Sequence, residues 1–209
     1  MLSLRPLGLG EEEFIMDLME AIGKRRSIRR FSPEPLNNYD LYEMVQAARL
    51  APQAANIQPI RYCLVHQQPL LGPVFECTKW AGYFENYAPP EGHRPQGYVV
   101  ILVDEKLKGR WTDTDVGAAV ENMLLTATSK GLGACWIGSV DRDRVRHILG
   151  IPEEFSIHSI VAVGHPAQES VWEEKNSESI KYYLDDENKL HVPKRRMGEI
   201  LVPITPHID

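Results

Sequence analysis

The chain has 209 residues, 43% of them hydrophobic, which suits one large domain with a sizeable core and excludes a disordered chain. A net charge of −6 argues against nucleic acid as a partner, because such binding needs a broadly basic surface. Three scattered cysteines, Cys63, Cys77 and Cys135, with no Cys-x-x-Cys pair, exclude a disulfide framework and a zinc site and point to a reducing compartment.

Residues 1–10 carry no signal-peptide pattern, and no stretch approaches the ~18 apolar residues of a membrane span. The expectation is a cytoplasmic protein with no membrane contact. Residues 11–24 read as a helix: Phe14, Ile15, Leu18, Met19 and Ile22 fall at helical spacing, with acids at the start and a base at the end. The run Arg25-Arg26-Ser27-Ile28-Arg29-Arg30-Phe31 follows. In an extended chain Arg25, Ser27 and Arg29 share a face. Two guanidinium forks and a hydroxyl there suit a bound phosphate; a solvated basic loop is the other reading. Pro33 and Pro35 stop any helix. Asn37 or Asn38 is placed to cap a second helix running to Leu50, with Leu41, Met44, Val45 and Ala48 inward.

Residues 51–59, Ala-Pro-Gln-Ala-Ala-Asn-Ile-Gln-Pro, form a loop of small and amide side chains. Small residues let a flat ligand approach the backbone, and Asn56 and Gln58 offer both donor and acceptor; an ordinary helix-to-strand connection fits as well. Residues 62–66 read as a strand. Leu71, Val74, Phe75 and Thr78 lie on a weaker helix, and Trp80, Tyr83, Phe84 and Tyr87 then cluster before two prolines. Such a cluster is either a core edge or interface, or a lid over a pocket.

Residues 98–104 are a continuous apolar run, hence a strand buried on both faces. Residues 115–130 are the strongest helix, with Val116, Ala119, Val120, Met123, Leu124 and Ala127 as its stripe. Gly131 and Gly133 end it, and the strand 134–137 follows. The order helix, glycines, strand is the reverse of a dinucleotide fingerprint, which excludes that reading. Residues 141–149 form a helix and 156–163 a buried strand. Tyr182 to Leu184 and Leu190 to Val192 flank an acidic turn as a hairpin, and Lys194-Arg195-Arg196 makes a second basic run. Residues 200–209 are too apolar for a free tail and too rich in proline for a helix, so they read as an extended arm. Five helices and about four long strands, with no repeat or linker, predict a single α+β domain over residues 1–209.

The histidines lack metal-ligand spacing, and neither a Gly-x-Ser-x-Gly elbow nor a phosphate loop with Lys-Ser/Thr occurs. No side-chain catalyst and no metal site is expected. Two basic clamps, a small-residue loop and backbone donors at the turn after residue 137 would instead hold a cofactor carrying its own chemistry.

Five segments taken in order carry a resemblance: Arg25 to Arg29, residues 51–59, Asp115 to Leu125, Gly131 to Gly138 and Pro193 to Arg196. They are similar to the nitroreductase family of FMN-dependent oxidoreductases, over about residues 21–202. The resemblance implies an α+β fold with a central mixed or antiparallel sheet flanked by helices. It also implies an intertwined homodimer with FMN at the subunit interface and an arm, about 197–209, packing on the other subunit. Carried over by residue, Arg25, Arg26 and Ser27 would meet the phosphate and ribityl chain, completed by Lys194 and Arg196. Arg29 would reach the N1/C2-carbonyl edge of the ring. Pro52, Gln53, Ala54 and Asn56 would come from the other subunit, and backbone donors at Ile137, Gly138 and Ser139 would face N5 and O4. NADH or NADPH would be the transient electron donor, and a nitroaromatic, quinone or enone the acceptor. Reductive dehalogenation, flavin modification and a non-catalytic FMN-binding redox module remain as alternatives. Gln53 and Ile60 depart from the residues usual in the family, a small one and an aromatic, so the resemblance does not carry a substrate preference.

Overall fold

The computed structural model describes residues 16–37, 39–175 and 178–204. Its centre is a four-stranded sheet in the order β1-β2-β4-β3, from β1 (Ile60–Val65), β2 (Gly97–Asp104), β3 (Gly133–Ile137) and β4 (Phe155–Gly164), with every neighbouring pair antiparallel. Side chains alternate across β2. Tyr98, Val100 and Leu102 join one core cluster, with α3 (Gln68–Phe75) and α5 (Arg142–Leu149), while Val99, Ile101 and Val103 join a second, with α2 (Asp40–Ala48) and α4 (Thr112–Ser129). Helices on both faces explain why the strand is apolar without alternation.

The stripe expected for α4 is buried as read. Helix α1 is shorter than its periodicity suggests. It spans Leu18–Lys24, with the Asp17 carboxylate accepting from the Met19 N–H at 3.1 Å; Met16 and Asp17 are not helical, and 11–15 lie outside the described residues. Its apolar side chains Leu18, Met19 and Ile22 face out of the chain. Ahead of α2, the Asn37 Oδ1 accepts from the Tyr39 N–H at 3.0 Å, and Asn38 lies outside the described residues.

The arginine run is a strap laid across the end of the sheet. Ser27 bridges to Ala134 of β3, Phe31 bridges to Pro166, and the Ile28 N–H donates to the Ala134 carbonyl at 3.0 Å. Two paired glycines admit it. A Cβ on Gly133 would stand 2.8 Å from Ile28, and one on Gly164 3.0 Å from Phe31. Gly133 therefore serves close approach rather than the helix ending, which falls to Gly131 at φ +74°. Burying Phe31 completely contributes about 2 kcal/mol and holds the strap down.

A second, three-stranded sheet follows: β5 (Ser170–Glu174), β6 (Tyr183–Leu184) and β7 (Leu190–Lys194), in the order β5-β7-β6. The expected hairpin is its β6/β7 half, antiparallel; β5, parallel to β7, was not foreseen because its partner lies beyond an intervening segment. Helix α6 (Met197–Ile200) occupies the start of the segment read as an arm. Residues 201–204 run on without helix and exposed, and 205–209 lie outside the described residues.

Candidate functional site

The strap and the end of β3 border an open cavity of about 190 Å³. Arg29 lines it from the strap, 79–82 from the loop after α3, 135–139 from β3 and its turn, and Tyr182 from the residue before β6. Two backbone bonds fix that loop against the turn: the Lys79 N–H donates to the Ser139 carbonyl at 3.0 Å, and the Asp141 N–H to Cys77 at 2.8 Å. The Gly138 and Ser139 N–H groups have no backbone acceptor among the described residues, so they remain available as donors.

Arg29 forms no ion pair with a described residue. Its guanidinium lies 4.8 Å from the centroid of the Tyr182 ring, and its own N–H donates to the Gln168 side chain at 3.1 Å. Burial pushes the neighbouring Cys135 thiol up, against the pull of Arg29. A buried thiol held protonated is no nucleophile at neutral pH. Cys63 and Cys77 are shifted upward by burial too.

The other expected residues lie on separate elements. Arg25 follows α1, its Nε 3.2 Å from the Glu121 carboxylate of α4. Arg26 folds back to donate to the Gly23 carbonyl at 2.5 Å and to that of Arg25. Its Nε is buried with no partner among the described residues, and burial, then the Arg25 charge, lower its pKa. Adjacent guanidinium groups, one with an unspent donor, are what a phosphate would neutralise.

The loop of Pro52, Gln53, Ala54 and Asn56 sits against α4, where buried Asp115 accepts from the Ala54 N–H at 2.9 Å. Ala55, Asn56 and Gln58 all adopt left-handed φ, 49°, 52° and 55°, a costly geometry outside glycine that gathers at functional segments. The Gln53 Oε1 is buried with no partner among the described residues. Lys194 ends β7 opposite Glu174, and the exposed Arg196 has its Nε 4.0 Å from the same carboxylate. One chain thus brings Arg29 together with Ile137, Gly138 and Ser139; the 52–56 loop, Arg25, Lys194 and Arg196 do not line that cavity.

Sequence reasoning missed Lys79, Tyr182 and the anchoring role of Asp115. Lys79 precedes the aromatic cluster that drew attention instead, and nothing local marks Tyr182 as a neighbour of Arg29. The aromatic cluster is both core and pocket wall: Trp80 is buried, its Nε1 donating to Thr78 at 2.9 Å, while Tyr83 and Phe84 pack on Tyr182. Among the described residues no cluster could hold a metal ion, and no helix is long and apolar enough to cross a membrane.

An antiparallel sheet covered by helices on both faces, with a cationic cavity at the end of an edge strand, defines an α+β ligand-binding domain. The sequence profile of the Nitroreductase family matches residues 22–165, and the chain belongs to that family. An Archaeoglobus fulgidus protein, provisionally named an NADH dehydrogenase/NAD(P)H nitroreductase, is 31% identical over 161 residues, spanning 73% of this chain and 87% of the relative. An NADH dehydrogenase of Thermus thermophilus is 27% identical over 74% of this chain and 89% of its own length. Among solved structures, a nitroreductase with bound FMN from Bacteroides fragilis superposes with a TM-score of 0.62 at 24% identity, covering 82% of this chain and all of that one.

Proposed function

We propose that the protein is an FMN-dependent oxidoreductase that passes electrons from NADH or NADPH to a nitroaromatic, quinone or enone by ping-pong turnover. It would work in the cytoplasm as one domain paired with a second copy, FMN lying at the interface. The observation that carries this reading is Arg29, without an ionic partner among the described residues, facing the turn of Ile137, Gly138 and Ser139 across one cavity. FMN, when bound, supplies the two-electron chemistry, taking a hydride from the nicotinamide and giving it to the acceptor.

The chain's own groups hold and orient. Arg25, Arg26 and Ser27, with Lys194 and Arg196, would bind the phosphate and ribityl chain. Arg29 would keep a positive charge at the N1/C2-carbonyl edge of the ring, and the Gly138 and Ser139 amides would donate to N5 and O4. Pro52, Gln53, Ala54 and Asn56 would cover the ring from the other subunit.

Two features support completion by a second copy. The cavity of about 190 Å³ is smaller than the roughly 300–1,000 Å³ of ligand sites. Exposed apolar residues lie on α1 and on the tail, where Val202 is 83% and Ile204 89% exposed, and such surface marks an interface. The arm would cover the other subunit.

The test is an absorbance spectrum of the purified protein, then anaerobic titration with each nicotinamide. A yellow protein bleached by NADH or NADPH and reoxidised by menadione or nitrofurazone is expected. A protein that stays colourless with added FMN overturns the reading.

A further inference from the structure

Tyr182 stands where two parts of the chain meet. Its ring has the Arg29 guanidinium on one side, Tyr83 at 4.7 Å and the edge of Phe84 at 5.3 Å, and its hydroxyl accepts from the Tyr83 N–H at 3.3 Å. Among the described residues it is the one contribution of the small-sheet region to the cavity wall. What holds it there is slight: β6 is two residues long and pairs only Tyr183 with His191 and Leu184 with Leu190.

The missing restraint is a clasp. The Tyr183 ring stacks on the His191 imidazole at 4.9 Å and 11°, and its hydroxyl donates to the Glu173 carboxylate at 2.9 Å. His191 Nδ1 lies 3.0 Å from Glu173 and its Nε2 3.0 Å from Asp185. Glu173 comes from β5, Tyr183 from β6 and Asp185 from the turn between β6 and β7; these are the titratable groups facing the imidazole among the described residues. One side chain therefore ties all three strands of the small sheet.

We propose that Tyr182 is a specificity-determining wall of the cavity and that His191 is the residue that positions it. The proposal rests on the flavin reading above and adds to it a residue and a control. An imidazolium donates from both nitrogens, whereas a neutral imidazole has one N–H, so one carboxylate then faces a lone pair. The bonds to Asp185 and Glu173 raise the His191 pKa. The clasp is therefore closed while the ring is charged and loosens as pH rises through that raised value. With it closed, Tyr182 is pressed on Arg29 and offers its ring to a flat acceptor. With it open, the wall is mobile and the flat acceptor loses a stacking partner. A compact acceptor that needs no wall is indifferent.

The experiment uses the full chain loaded with FMN. KM and kcat are measured for menadione and for ferricyanide from about pH 6 to about pH 9, the range that brackets a raised histidine. Tyr182→Ala should raise the menadione KM about 3- to 10-fold, the worth of an aromatic contact, and the ferricyanide KM by clearly less; Tyr182→Phe should recover most of the loss. His191→Gln should hold the menadione KM at the wild-type alkaline value across the range. Amide exchange at Tyr83 in FMN-free protein, corrected for intrinsic rate, should show protection that fades with pH in the wild type and is absent in His191→Gln. An unchanged KM in Tyr182→Ala with FMN bound overturns the wall. A pH profile of KM or exchange that survives His191→Gln overturns the clasp. Should Tyr182→Ala lose its flavin, Tyr182→Leu takes its place. If the wild type binds no FMN, the flavin reading fails, and the exchange result still decides the clasp.

Discussion

The Arg25 guanidinium lies 3.2 Å from the carboxylate of Glu121, a residue of α4 that is half exposed. The first arginine of the strap is thus already neutralised before any ligand arrives. A phosphate bound at Arg25, as proposed, would compete with that carboxylate for the same donor.

This competition gives opposite signs for two substitutions. Arg25→Ala should weaken FMN binding about 10- to 100-fold, the worth of a charge-assisted hydrogen bond of roughly 1.5–3 kcal/mol. Glu121→Gln should tighten it several-fold by freeing the guanidinium. Fluorescence titration of FMN reads both, and unchanged affinity in Arg25→Ala would mean the phosphate lies elsewhere.

The strap's seat on the sheet is tested at Gly133. A methyl group there meets Ile28 at 2.8 Å, and overpacking of that kind costs about 1–3 kcal/mol. Gly133→Ala should lower the urea midpoint by that amount, and Ile28→Ala in the same chain should recover part of it. A double-mutant cycle with no coupling would show that the two do not meet.

Alkaline pH should destabilise the fold. Burial raises the Cys135 thiol above 9.0 and the Tyr62 hydroxyl from 10.0 to about 12. Burial raises the Tyr98 hydroxyl further still. Each of these acids keeps its proton longer folded than unfolded. The stability it contributes is complete below the ordinary value and is lost as pH rises from there towards the raised one, at up to about 1.4 kcal/mol per pH unit per group. Urea unfolding should therefore weaken from about pH 9 upward, and Cys135→Ala should reduce the earliest part of the slope, which the Cys63 and Cys77 thiols, also raised by burial, share. A flat profile would contradict the burial.

The exposed residues of 197–204 should matter to assembly more than to the fold. Removing residues 197–209 takes away Met197, Ile200, Leu201, Val202 and Ile204, all more than half exposed. Light scattering of the truncated chain should show a monomer, with loss of bound FMN and little change in secondary structure by circular dichroism. A truncated chain that still dimerises and stays yellow would place the interface elsewhere.

Much of the architecture was legible in order of residues, because helices and strands answer to local periodicity. The stripe of α4, the apolar run of β2 and the turn after β3 stand where their patterns put them. The candidate runs also stood out locally, Arg25 to Arg29 by its density of charge and Ile137 to Ser139 by the turn that closes a strand. Tertiary structure alone decided which of them meet. The length of α1 escaped because its apolar face is not buried in this chain, so periodicity overstated the helix. Strand β5 escaped because a parallel pairing has no local signal. Asp115 beneath the Ala54 amide, Gly133 beneath Ile28 and Tyr182 on Arg29 are long-range contacts made by ordinary residues. Their roles come from the close packing of distant segments, a property of the folded chain that no window of sequence contains.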